Sequence, residues 1–102
     1  YVGYGGNDNS TTRFRRYKGE YYGVADDKVK PLLKEYTDAP HLLVPNQWYE
    51  IRIRVEKGIT TYSVNDAELF RYTLAGGEGD GHFGLRLLQN HVLFTDFKAT
   101  IL

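Results

Sequence analysis

WYEIRIRVEKGITTYSVNDAELFRYTL, residues 48–74, decides the fold class. In its first part Tyr49, Ile51, Ile53 and Val55 fall on one side of an extended chain. Trp48, Glu50, Arg52, Arg54 and Glu56 fall on the other. Such strict alternation belongs to a β-strand with one face against a core, because successive side chains of a strand point to opposite faces. Lys57-Gly58 then supplies a turn, and ITTYSV (59–64) returns as a β-branched strand. Asn65-Asp66 turns the chain again into ELFRYTL (68–74). Two-residue connections of Gly, Asn and Asp type are hairpin chemistry. The stretch predicts a meander of three antiparallel strands.

Toward the C-terminus, AGGEGDG (75–81) is a glycine-rich loop, and HFGLRLL (82–88) reads as a strand with Phe83, Leu85 and Leu87 on one face. After Gln89-Asn90, HVLFTDFKATIL (91–102) reads as a long final strand. Its shared face holds Leu93, Thr95, Phe97, Ala99 and Ile101, while Phe94 is off register, where a bulge is expected. Toward the N-terminus, TTRFRRY (11–17) and KPLLKEY (30–36) are further strands, and APHLLVPN (39–46) is a connecting loop. Pro31 interrupts the one helix-like pattern, over 29–36. Tyr49, Phe70, Phe83 and Phe97 are the expected core aromatics. The fold class is all-β and antiparallel.

The chain has 102 residues, the length of one domain. With 13 basic and 13 acidic residues its net charge is zero, so global charge gives no argument for nucleic acid or an anionic membrane as partner. Cysteine is absent, which excludes disulfides and thiolate metal sites. No apolar run approaches the roughly 20 residues of a membrane helix. The first residues, YVGY, read as part of a strand rather than as a polar linker, which predicts further strands upstream.

PNQWYEIRIRVEKGITTYSVNDAELF (45–70) resembles the central meander of concanavalin A-like jelly-roll domains, in which a Trp-Tyr pair opens a strand and Lys-Gly and Asn-Asp turns follow. GHFGLRLLQNHVLFTDFKATIL (81–102) is similar to the closing strands of that superfamily. GYGGNDNSTTRFRRY (3–17), together with PLLKEY (31–36), is similar to one uncharacterised subgroup that occurs among polysaccharide-degradation genes of carbohydrate-utilising bacteria. The resemblance implies a jelly-roll β-sandwich, with residues 1–102 as the C-terminal portion of a longer domain. It also implies a polysaccharide or oligosaccharide ligand and a secreted or periplasmic location. A jelly roll lacking its first strands leaves open sheet edges. Self-association, or a missing N-terminal segment, is the expected means of completing them.

Local clusters carry the ligand expectation. Gly5-Gly6-Asn7-Asp8-Asn9 has turn chemistry, since Gly, Asn and Asp tolerate positive φ. Its amides and carboxylate also match paired sugar hydroxyls. Calcium is a further reading of these oxygens, although the spaced carboxylates and distal Glu of a calcium loop are missing; no other cofactor is expected. If 11–17 is a strand, Arg13, Arg15 and Tyr17 project together while Phe14 points to the core. An arginine fork binds a carboxylate through two parallel bonds, which suits a uronic acid. Arg52 and Arg54 share the polar face of their strand, and His82 and Arg86 share a face of a later one. Trp48 is a stacking platform for a sugar ring or an edge seal, and Tyr4, Tyr21, Tyr22, Tyr62 and Tyr72 have the same two readings. The expected binding set is Tyr4, Asn7, Arg13, Arg15, Tyr17, Trp48, Arg52, Arg54 and Arg86.

Three functions remain open. The first is binding of an acidic polysaccharide in an arginine-lined groove. The second is a glycoside hydrolase or polysaccharide lyase in the same groove. A hydrolase needs two facing carboxylates, and Glu35, Glu50, Glu68, Glu78 and Asp96 contain no pattern that singles out a pair. A lyase needs a base such as His41, His82, His91 or a tyrosine, with a cation for the uronate. The third is a structural β-domain packing on a catalytic partner. No Gly-x-Ser-x-Gly supports serine hydrolysis, and GEGDG (77–81) lacks the lysine of a phosphate loop.

Overall fold

A computed structural model describes residues 1–17, 26–76 and 81–101. The chain divides into two compact units, Tyr1–Glu50 and Ile51–Leu102, each built on one antiparallel sheet of three strands. The protein is mostly β.

In the first unit the strands are β1 (Val2–Gly5), β2 (Thr11–Arg15) and β3 (Leu32–Tyr36), in the order β1-β2-β3. The strands predicted at YVGY, 11–17 and 30–36 are present here, the last two shorter than predicted. The β2–β3 register sets Arg13 opposite Glu35 and Thr12 opposite Tyr36, then shifts between Phe14 and Arg15. A single helical turn occupies Asp26–Val29, and a 3-10 turn occupies Ala39–His41 in the predicted connecting loop. Among the described residues of this unit Thr11 and Thr12 are buried, and Phe14 is half-buried.

The second unit is the predicted meander, β4 (Ile51–Glu56), β5 (Ile59–Val64) and β6 (Ala67–Thr73). Both of its tight turns have the backbone that the sequence asks for. Lys57 and Gly58 have φ of 50° and 75°, and Asn65 and Asp66 have 49° and 66°. Positive φ at both central residues matches the right-handed twist of the flanking strands, which is why Gly, Asn and Asp occupy such turns. Register places Ile51, Ile53 and Val55 beside Val64, Tyr62 and Thr60 on one face. Arg52 and Arg54 lie beside Ser63 and Thr61 on the other. The core here is Val64, Leu69 and Phe70, with the Tyr62 and Phe70 rings 5.9 Å apart.

Three expectations are corrected. Ile51, Ile53 and Val55 alternate as predicted but stay exposed; alternation defines an apolar face without providing what covers it. Residues 82–88 and 91–101 form no hydrogen-bonded strand. A strand needs a neighbouring edge, and Asp96, at φ 55°, interrupts the second segment. Phe83 and Phe97, assigned to the core, pack on each other at 5.7 Å yet remain exposed. Among the described residues no helix is long and apolar enough to cross a membrane.

Candidate functional site

The first unit gathers its polar chemistry around the segment 38–43. The chain leaves β1 through a left-handed turn. Gly5 has φ 69°, and Asn7, Asp8 and Asn9 have φ of 51°, 56° and 58°. Each non-glycine residue in this region costs roughly 1–2 kcal/mol, least for Asn and Asp. Gly5 is required on two counts: its φ, and a would-be Cβ only 2.6 Å from Leu43 Cδ1. The Ser10 N–H donates to Gly6 O at 3.0 Å, and the Ser10 hydroxyl donates to Asn7 O at 2.6 Å, closing the turn.

This turn presents Asn9 to a segment 34 residues away. Asn9 Nδ2 donates to Leu43 O at 2.8 Å, and the Leu43 N–H donates to Asn9 Oδ1 at 2.9 Å. One amide thus satisfies both backbone groups of Leu43, as a neighbouring strand would. Thr12, fully buried, adds a second tie: its hydroxyl donates to His41 O at 2.5 Å and accepts from the Gly5 N–H at 3.3 Å. Residues 41 and 43 are pinned from β2 and from the turn.

On that pinned segment stands an aspartate–histidine pair. Asp38 occupies the N-cap of the 3-10 turn but makes no cap bond. Its carboxylate oxygens instead lie 2.7 and 2.8 Å from His41 Nδ1. A carboxylate only accepts, so Nδ1 carries its hydrogen and Nε2 is the ring nitrogen turned away from Asp38. The imidazole stacks on Tyr36 with centroids 3.9 Å apart and planes 20° from parallel. Lys34 Nζ lies 4.9 Å from the Tyr36 ring centroid, within cation–π range. Tyr49 accepts the Val44 N–H at 2.8 Å, and its ring meets that of Tyr4 at 5.8 Å. Burial, followed by the neighbouring Tyr49, raises the Tyr4 pKa above the usual phenol value.

Of the sequence-predicted residues, Tyr4 precedes this turn and Asn7 lies within it, contributing its backbone oxygen to the closure. Arg13 pairs with Glu35 at 2.5 Å, and Arg15 Nη1 donates to Lys30 O at 2.9 Å. The register shift after Phe14 breaks the alternation that would align Arg13, Arg15 and Tyr17. Tyr17 meets Tyr1 edge-on at 5.1 Å, and Trp48 is 67% exposed. In the second unit Arg52 lies 3.6 Å from Asp66, and Arg54 lies 3.0 Å from Glu56. Arg86 is exposed, as are His82 and His91. Tyr21, Tyr22 and Glu78 lie outside the described residues, as does most of GEGDG. Among the described residues no three metal-ligating groups converge.

Sequence reasoning missed Asp38, Tyr36 and Thr12 as partners of His41. The Asp-Ala-Pro-His run, with proline in the first turn, was the available signal for the Asp38–His41 approach. It also missed Arg71, opposite Thr61, whose guanidinium binds Glu68 at 2.7 and 3.1 Å. That ion pair raises the Arg71 pKa further. Arg54, Glu56, Lys57, Thr61, Glu68 and Arg71 line a depression of about 370 Å³ on the polar side of the meander.

The chain matches the model of DUF6250, a domain of unknown function, over residues 1–97, and it belongs to that family. No curated protein and no solved structure matches it.

Proposed function

We propose that this chain is a carbohydrate-binding β-domain of concanavalin A-like jelly-roll type that recognises an acidic polysaccharide outside the cytoplasm, in the periplasm or after secretion. The observation that carries the reading is the depression on the meander. It is lined by three cations, Arg54, Lys57 and Arg71, against two acids, Glu56 and Glu68. A net positive recess of this kind suits a sugar carboxylate. The existing ion pairs are solvent-exposed; water screens such pairs strongly, so a ligand carboxylate exchanges with Glu56 or Glu68 at small cost.

A glycan array of neutral and uronate-rich polymers tests this. The expected result is retention of the uronate polymers, reduced about tenfold by Arg54→Ala and Arg71→Ala. Retention of neutral polymers alone, or binding indifferent to both variants together with Arg13→Ala and Arg52→Ala, overturns it.

The Asp38–His41 pair favours a second reading, an enzyme with His41 as general base. An imidazole held by a carboxylate on Nδ1 and a ring on its face presents Nε2 in a fixed direction, as base catalysis requires. Incubation with pectic polymers, followed by unsaturated-product absorbance and by reducing ends, separates lyase from hydrolase. Absence of both signals, or activity that survives His41→Ala, removes this reading.

A further inference from the structure

Register arranges the depression on the meander as rows that cross the three strands. Arg54 of β4 lies opposite Thr61 of β5, and Thr61 lies opposite Arg71 of β6. Directly opposed residues share a face, and all three line the same recess. Neighbouring strands are about 4.8 Å apart, so the row reads cation, hydroxyl, cation, with the two arginine backbones about 10 Å apart.

Both acids of the recess belong to other rows. Glu56 lies opposite Ile59, one row nearer the Lys57-Gly58 turn. Glu68 lies opposite Ser63, one row away on the other side. The register slips between those rows, leaving Leu69 as the extra residue of β6, and this bulge brings Glu68 to the same face as Arg71, three residues on. Each acid is therefore displaced from its arginine along the strands. A ligand laid along β4 or β6 meets a glutamate next to each arginine, whereas one laid across the strands follows a row that contains no acid.

Such a row fits a chain molecule that carries anions on alternate units. In a flat glycan ribbon successive rings turn over, so alternate sugars present the same edge to a surface, and two sugars of an extended chain span about the separation of the two arginines. Resting on the reading of this domain as a binder of acidic polysaccharide, we propose that Arg54 and Arg71 take the carboxylates of two uronates separated by one sugar. A hydroxyl of that middle sugar meets Thr61, and three sugars are the shortest unit recognised. Each guanidinium can meet its carboxylate through parallel hydrogen bonds. Joining the two carboxylates on one chain makes the second contact intramolecular. Ile59, two residues before Thr61 on the same face, gives ring C–H groups an apolar seat.

Calorimetric titration of the 102-residue chain with galacturonate and mannuronate oligomers of increasing length tests the proposal. The single sugar has one carboxylate and the disaccharide has two adjacent ones; the alternate pair first occurs in the trisaccharide. In at least one series, affinity is expected to rise at least about tenfold from disaccharide to trisaccharide, the gain from a tethered second contact, and to change little from single sugar to disaccharide. Arg54→Ala and Arg71→Ala, both at exposed positions, are each expected to remove that step while circular dichroism shows the parent fold. Retention of uronate polymers without the step in either series overturns this proposal and leaves the acidic-polysaccharide reading standing. A step that survives either substitution also overturns it. Absence of binding to every uronate polymer and oligomer overturns both.

Discussion

Replacing Thr12 by valine keeps the volume of a fully buried side chain and deletes its hydroxyl. The structure specifies what that hydroxyl does: it donates to His41 O at 2.5 Å and accepts the Gly5 N–H at 3.3 Å. Both partners are part-buried backbone groups, and leaving such a group unsatisfied costs about 1–3 kcal/mol. The longer Gly5 bond belongs at the low end, so Thr12→Val is expected to cost about 2–4 kcal/mol. That is a large share of the roughly 5–15 kcal/mol stability of a small domain. At about 4–8 °C per kcal/mol it lowers Tm by roughly 8–32 °C. Thr12→Ser supplies the control, because it keeps both hydrogen bonds and loses one methyl group, worth about 1 kcal/mol. Thermal and urea unfolding should therefore rank the parent above Thr12→Ser and Thr12→Ser above Thr12→Val. A valine variant as stable as the serine variant would mean that methyl packing, not the tie to His41, is what Thr12 contributes.

Gly5→Ala and Gly58→Ala make a matched pair, since both glycines have positive φ but a Cβ meets Leu43 at Gly5 and nothing within 4 Å at Gly58. Both lose about 1 kcal/mol to backbone strain, and Gly5→Ala should lose about 1–3 kcal/mol more to overpacking; equal losses in chemical denaturation would refute the contact with Leu43. Asn9→Ala deletes both bonds to Leu43 while keeping φ 58°, so it should be about 1 kcal/mol less stable than Asn9→Gly, which relieves the strain. Equal stability would show that the turn does not hold Asn9 in the left-handed region. The raised Tyr4 pKa means that the folded chain holds its phenol proton more tightly than the unfolded chain. Stability from this group is therefore complete below about pH 10 and falls as pH rises above it. Tyr4→Phe should flatten that alkaline decline, as followed by circular dichroism alongside phenolate absorbance.

Local chemistry made the meander legible. Lys57-Gly58 and Asn65-Asp66 dictate turns with positive φ, and the strands between them alternate or are β-branched, so nothing distant was needed to define β4, β5 and β6. The strands at Thr11–Arg15 and Leu32–Tyr36 were legible for the same reason. The apolar face of β4 was legible as a face but not as a buried one, because burial depends on a second surface that alternation does not specify. Residues 91–101 show the same division: the pattern gives capacity for a strand, and pairing requires an edge in reach. The arginines were found by composition, whereas Glu35, Asp66 and Glu56 became their partners only through register and turn geometry. Asp38 and His41 lie three residues apart and were readable as neighbours. Thr12, 29 residues before His41, and Asn9, 34 before Leu43, were not.

That last difference changes how the amide-rich stretch at residues 5–9 is understood. Part of it is structural: the Asn9 side chain is committed to Leu43, the Ser10 hydroxyl to Asn7 O, and a Cβ at Gly5 would meet Leu43. Asn7 and Asp8 are exposed. Three consecutive left-handed residues cost of order 3 kcal/mol or more together, and that strain persists only where surrounding bonds over-determine it. Here those bonds converge on residues 41–43. The turn is scaffolding for the segment that carries His41, and the imidazole is then oriented by Asp38 and Tyr36. A ring fixed by a backbone tie, a carboxylate on one nitrogen and an aromatic face has little freedom left except at Nε2. The geometry of the turn is thus read through Asn9, whose two bonds to Leu43 tie residues 5–9 to the segment that carries His41.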